Sequence, residues 1–315
     1  MVQAHSTKAA ERAPRVGGLR RREAIEGFLY ITPWIIGFLV FNFGPMLYSL
    51  YLSLTRYTIV RDPVFIGIEN YVQIFTKDRL FWVAVEKTAI YAGTTVIVGL
   101  IGSLLLALLL DQKLRGTNLL RTFFFLPSLT PIVASVILWG WIFQPQLGVL
   151  NYILRIMGVE NRPGWLLSAD WAMPALLVIA LWGSIGGSRM VIFIAGLQGI
   201  PHELYEAAHI DGASIWRRFM HVTIPLLTPT IFFNTVLGII GSLSVFAIAY
   251  VGTKGGPVNA TYFYVLHIYN RGFPDSEMGY AAALAWIFFI VVMVFTGVQF
   301  WLQKHWVHYE VGEKA

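Results

Sequence analysis

The side chains best placed to do chemistry or to engage a partner lie in one polar stretch, Ile200 to Pro225, which reads IPHELYEAAHIDGASIWRRFMHVTIP. His202-Glu203 opens like the zinc-protease pattern H-E-x-x-H, but the fifth position is Glu206, so the metal-binding pair is incomplete. There is no G-x-x-x-x-G-K-[ST] anywhere, so the chain has no loop to cradle ATP phosphates. There is also no G-x-G-x-x-G after a strand pattern and no G-x-S-x-G elbow. Cysteine is absent, which removes thiolate nucleophiles, thiolate metal sites and disulfides. His305 and His308 stand at i, i+3 spacing, but two histidines at the end of a hydrophobic run do not make a metal site, and none is assigned. No catalytic residues are expected. The chemistry of this chain is recognition.

The same stretch has a definite local structure. Pro201 suits the first position of a helix, where its missing N–H costs nothing. Glu203 and Glu206 follow in the first turns, where the helix dipole favours anions. Leu204, Ala207 and Ala208 share one face by their i, i+3, i+4 spacing. Asp211-Gly212 ends the helix, with glycine free to take a left-handed cap. A second helical piece is expected over Ala213–Met220, and Pro225 opens the next apolar run. Two readings follow: a helix with a small-residue face on which a partner docks, or an amphipathic helix lying at a membrane surface.

What must hold this segment is a membrane-spanning scaffold. Of the 315 residues, 57% are hydrophobic and 13% charged, about half the charge of a soluble domain, and mean hydropathy is +0.64. Six apolar runs approach or exceed the ~20 residues that cross a bilayer as helix: about Gly27–Leu54, Ala89–Leu110, Leu120–Phe143, Ala172–Leu197, Ile224–Val251 and Tyr280–Leu302. Strand-type alternation is missing, which argues against a β-barrel. The expected fold is an all-α polytopic membrane protein of about six transmembrane helices. Residues 1–26 form an N-terminal tail, 27–303 the transmembrane domain with the polar loop 198–223 inside it, and 304–315 a C-terminal tail. The first run is too long for a signal peptide and is read as a retained span. With the N-terminus inside, the inner segments carry 13 Lys and Arg and the outer loops 8. This places both termini and the loop 198–223 in the cytoplasm. The basic residues then serve topology, not nucleic-acid binding.

Within the runs, intramembrane acids are scarce, whereas an ion-coupled secondary carrier, the alternative function, usually keeps them as proton or sodium sites. Arg189 is the clear charge inside a span. It either contacts a pathway or partner, or snorkels along its stem toward the inner surface.

The pattern Glu206-Ala207-Ala208, Asp211-Gly212 and Ile224-Pro225 resembles the EAA loop of binding-protein-dependent ABC importer permeases. Gly67…Asn70-Tyr71, Leu126-Pro127…Pro131, Gly148…Asn151, Thr253…Gly255-Gly256-Pro257 and Met278-Gly279-Tyr280-Ala281 extend the resemblance along nearly the whole chain, toward carbohydrate permeases of the maltose and glycerol-phosphate type. The resemblance implies the type I ABC importer transmembrane fold in a bacterial or archaeal cytoplasmic (inner) membrane. It implies a second permease subunit forming a heterodimer, two copies of an ABC ATPase that bind ATP and Mg, and an extracytoplasmic solute-binding protein. This chain would bind no cofactor. Glu203, Glu206, Ala207, Ala208, Asp211 and Gly212 would belong to the helix that couples to the ATPase. A sugar or polyol would pass polar groups of the third to fifth spans, for which Ser128, Ser184, Ser188, Asn234 and Ser242 are the candidates. Each hydroxyl could equally bond the backbone or a neighbouring helix.

Overall fold

The computed structural model describes residues 16–112 and 116–307. Lys113, Arg115 and His308, together with the terminal stretches 1–15 and 308–315 on which the tail assignments and part of the charge count rest, lie outside the described residues.

The first span arrives earlier and in pieces. Helix α1 (Val16–Phe38) starts well before Gly27, so the segment read as an N-terminal tail is partly helical. A π-turn at Leu39–Phe43 joins it to α2 (Gly44–Ser53), where Pro45 sits in the first turn, the place a helix tolerates it. No residue from Glu23 to Phe43 is buried. A short antiparallel hairpin then follows, β1 (Thr55–Thr58) with β2 (Arg61–Phe65), where the sequence indicated only loop and short helices. Helix α3 (Glu69–Thr76) lies under it. Buried Asn70 fastens the corner, its amide donating to the carbonyls of Ser53 at 2.8 Å and Thr55 at 2.9 Å.

The central helix is α4 (Arg79–Leu110), which packs on five other helices. Its buried stripe is rich in small residues, among them Ala84, Ala92, Gly99, Ser103 and Ala107. In a lipid environment close packing between helices, and not water exclusion, drives association, and small side chains permit it.

Three expected spans are interrupted. The third is two helices, α5 (Thr117–Leu129) and α6 (Ile132–Ile142), which meet at 98° and do not form one straight run. Pro131 removes a helical N–H and pushes Thr130 to extended backbone (φ −77°, ψ 126°), and this makes the corner. The fourth span divides into α8 (Ala169–Ile185) and α9 (Ser188–Gln198) at Gly186-Gly187. The glycines let α5 approach: a Cβ on Gly186 would collide with the Phe124 carbonyl, and one on Gly187 would lie 2.8 Å from Ser128 Cβ. The fifth begins earlier and ends earlier than Ile224–Val251. Short helix α11 (Ile215–Arg218) and a π-turn at Phe219–Thr223 run into α12 (Ile224–Leu243), and α13 (Ala247–Gly252) follows after a break. Helix α7 (Val149–Ile156) and α14 (Tyr264–Gly272) sit in the loops, and α15 (Met278–Trp306) closes the chain. Among the described residues five helical runs are long and apolar enough to cross a membrane, six with the bent α5–α6 pair.

The other recurrent dipeptides mostly act as fasteners. Asn151 is buried, donates to the Pro145 and Pro163 carbonyls at 3.0 Å each and accepts from the Trp165 indole at 2.8 Å. Gly279 lets α15 meet the backbone of β1, where a Cβ would collide with the Thr55 carbonyl.

Candidate functional site

The loop between α9 and the fifth span carries helix α10 (His202–Ile210). It ends as its sequence dictates. Gly212 takes φ +72°, the Ala213 N–H reaches back to the Ala208 carbonyl at 2.9 Å and the Gly212 N–H to the His209 carbonyl at 3.0 Å. These two bonds are the Schellman arrangement, which satisfies carbonyls a helix end otherwise leaves bare. Ser214 then caps α11, accepting from the Arg217 N–H. The second helical piece is therefore α11 plus a π-turn continuous with α12, in place of a separate helix over Ala213–Met220.

Glu203, Glu206, Ala207, Asp211 and Gly212 are exposed, and Ala208 is half-buried. Glu206 pairs with His202 at 3.2 Å across one turn. Apolar side chains on the same surface were not singled out from the sequence: Ile210 is 86% exposed, Ile215 78% and Trp216 68%. Adjacency to a glycine cap is the signal that marks Ile210. The helix is bonded to the span that follows it, and the end of α9 just before it is bonded to α4. The Tyr205 hydroxyl lies 3.0 Å from Thr223 Oγ1, and Gln198 donates to Asp111 at 3.2 Å, joining the end of α9 to the end of α4.

The polar residues expected along a pathway separate into groups. Ser184 and Ser242 line a cavity of about 490 Å³ between α4, α8, α9 and α12, together with Arg189, Tyr91, Thr95 and Ser244. Ser128 is exposed, bonds the Phe125 carbonyl and packs at the Gly187 break, and Ser188 begins α9 exposed. Asn234 is buried and donates to the Thr230 carbonyl at 3.1 Å, away from the cavity lining. Arg189 does not snorkel to the surface. Its guanidinium lies between Gly99 of α4 and Gly238 of α12, and its Nη1 is buried without a hydrogen-bond partner.

At the far end from α10 the fold buries an acid the sequence did not reveal. Asp78 caps α4, its Oδ1 accepting from the Phe81 N–H at 3.1 Å. Its Oδ2 accepts from the Tyr280 hydroxyl at 2.7 Å, from Arg271 at 3.1 Å and from His267 Nε2 at 3.1 Å. An ionised carboxylate only accepts, so Nε2 carries the proton. Nδ1 of the neutral ring then accepts from the Tyr262 hydroxyl at 3.1 Å. Burial disfavours ionisation of Asp78, but the Tyr280 hydrogen bond, the neighbouring His267, the Phe81 N–H and the Arg271 guanidinium outweigh it and hold the carboxyl below its ordinary value. Burial lowers His267 from its ordinary 6.5, despite the opposing pull of Asp78. The signal that could have marked Asp78 is its place just before a long apolar run, where Asp suits an N-cap; a lone histidine such as His267 has no spacing to mark it.

A pH dependence follows. The unfolded chain binds a proton on His267 near pH 6.5, while the folded chain resists it, so stability rises with pH in that window. The apparent Tm in detergent should therefore fall as pH drops from about 7 to below 6.5. Asp78 adds a further loss only in stronger acid, because its folded value is the lower one. His267→Gln should flatten the first decline, and a pH profile unchanged in that variant would exclude His267 as its source.

Residues 88–308 match the family described as the inner membrane component of binding-protein-dependent transport systems. The chain belongs to this family. It is 38% identical over 297 residues to the probable ABC transporter permease YesP of Bacillus subtilis, covering 93% of this chain and 95% of that one. It is 37% identical over 293 residues to the lactose transport system permease LacF of Rhizobium radiobacter, covering 91% and 96%. In architecture it matches a chain of a bacterial alginate ABC transporter, solved with an alginate-pentasaccharide-bound periplasmic protein, at TM-score 0.82 and 22% identity over 94% of this chain and 100% of that one. The permease therefore has the type I importer transmembrane fold.

Proposed function

We propose that this permease forms half of the pathway of an ATP-driven importer for a sugar or related polyol, and that α10 is the surface through which a separate ATPase drives it. One observation carries the reading. Helix α10 is exposed along most of its length, yet its C-terminal end is closed by a Schellman cap and its Tyr205 hydroxyl is bonded to Thr223 at the entrance to the fifth span. A surface helix that only floated at the interface would need no such anchoring. Docked in a cleft of a partner, it would pass displacement through Tyr205–Thr223 to the fifth span and through Gln198–Asp111 to the second. Ile210, Ile215 and Trp216 would supply the apolar contact that exposed acids lack. The named cargo of relatives such as the lactose permease supports a carbohydrate substrate.

In this reading the partners are a second permease subunit in a heterodimer, two copies of the ATPase that hold ATP and Mg²⁺, and an extracytoplasmic solute-binding protein. The permease itself holds no cofactor and performs no hydrolysis. Both termini and α10 lie on the cytoplasmic side of a bacterial or archaeal inner membrane, and Glu203, Glu206, Ala207, Ala208, Asp211 and Gly212 form the coupling surface.

The test is reconstitution. Tagged chain should co-purify with an ATPase and a second permease, and proteoliposomes holding the assembly and its binding protein should take up radiolabelled sugar only with ATP. Uptake by the chain without an ATPase under a proton or sodium gradient would establish the ion-coupled alternative.

A further inference from the structure

The cavity at the α8–α9 break contains a cation with no ion-pair partner among the described residues. Arg189 stands in the first turn of α9, and its guanidinium enters a slot made by glycines of two other spans. A Cβ on Gly99 would collide with Nη1, and one on Gly238 would lie 3.1 Å from Nη2. Nη1 is buried and has no hydrogen-bond partner among the described residues. Ser184 Oγ is likewise buried and unpartnered, and it lies 3.7 Å from the point where the Gly99 Cβ would stand, beside the same Nη1. Three other hydroxyls of the lining bond their own helix backbone: Thr95 donates to the Tyr91 carbonyl, Ser242 to the Ile239 carbonyl and Ser244 to the Ile240 carbonyl. No Asp or Glu is among the residues lining the cavity.

A desolvated guanidinium without a counter-charge is costly, so structures that keep one pair it. Here the chain provides space instead of a carboxylate. The cavity, about 490 Å³, is of a size that holds a small ligand. The two uncommitted donors converge at the start of α9, where the helix dipole is positive and favours an anion. The guanidinium fork matches the geometry of a carboxylate or phosphate.

We propose that Arg189 and Ser184 form an anion subsite, and that the solute this permease carries bears a carboxylate or phosphate, as a uronic-acid saccharide or a sugar or polyol phosphate does. The proposal rests on the importer reading above and gives its substrate class. Gly99 and Gly238 are then specificity positions, kept small so that the guanidinium reaches the pathway. Arg189→Lys would retain charge but lose the fork.

The experiment uses the complete importer in proteoliposomes with three probes: digalacturonate, glycerol phosphate and neutral lactose. ATP-driven uptake of digalacturonate or of glycerol phosphate is expected, and which of the two is carried separates carboxylate from phosphate. Arg189→Gln should lower kcat/KM for the carried anion by about tenfold or more, and Arg189→Lys by less. Uptake of lactose alone, or anion uptake unchanged in Arg189→Gln, would overturn the subsite while leaving the importer reading intact. Should Arg189→Gln fail to assemble, Ser184→Ala decides: a loss of about threefold or more in anion uptake supports the subsite, and unchanged uptake refutes it. Absence of ATP-driven uptake of every probe, with no co-purifying ATPase, would refute the importer reading instead.

Discussion

Gly212→Val should abolish most ATP-driven uptake while leaving the chain inserted in the membrane. Gly212 holds φ +72° at the position where α10 turns back, and both cap bonds depend on that conformation. A β-branched residue there is disfavoured by steric contact with its own backbone, at a cost of about 1–3 kcal/mol. Space is not the obstacle, since nothing lies within 4 Å of a Cβ added at Gly212. The strain is relieved by unwinding the cap, which releases the Ala208 and His209 carbonyls and frees Ile210. An equilibrium shifted by that energy lowers the population of the docked geometry by roughly 5- to 150-fold. Uptake should fall by a comparable factor, while ATP hydrolysis continues without transport. Gly212→Asn is the control, because asparagine enters the left-handed region readily and should retain most uptake. Normal uptake by the valine variant would remove the coupling role from this segment.

The largest stability effect is expected at the opposite end of the molecule. Asp78→Ala removes the acceptor shared by Tyr280, Arg271 and His267 and the cap of α4 in one step. Losing one partner of a buried charge cluster costs about 3–5 kcal/mol, because the groups left behind have no water to turn to. Loss of the cap adds about 1 kcal/mol. The half-exposed position of Arg271 recovers part of its share through solvent. The apparent Tm in detergent should drop by roughly 10 °C. Asp78→Asn should drop less, since its amide oxygen can still cap α4. A shift below a degree for the alanine variant would show that the cluster does not hold the three loops together.

This cluster also illustrates where sequence reading stops. Asp78, His267, Arg271 and Tyr280 are separated by as many as 202 positions, yet meet within 3.1 Å of one oxygen pair. Nothing local to any of them signals the others. Asp78 stands at the start of α4, but its burial belongs to the packing of α14 on α4 and α15. The breaks in the spans show a similar limit. Pro131 and Gly186-Gly187 were visible as residues, while the 98° corner and the close approach of α5 needed the neighbouring helices in place.

The loop at Glu206–Gly212 stands at the other extreme. Its helix and its left-handed end at Gly212 follow from bonds made within about six residues, so the sequence alone determined them, although the helix opens at His202 with Pro201 as the flanking extended residue and not as its first position. The family was legible too, because its motifs are mostly turns, glycine contacts and buried amides whose chemistry is fixed by residue type. Composition determined that the chain spans a membrane, since its apolar surface exceeds what one soluble core could hide. Arg189 was visible as a charge in an apolar run, but only the tertiary structure decided that it turns inward between Gly99 and Gly238, beside an unpartnered serine. Side-chain direction in a lipid-facing helix is set by which neighbour leaves room, and that room is made by residues far away in the chain.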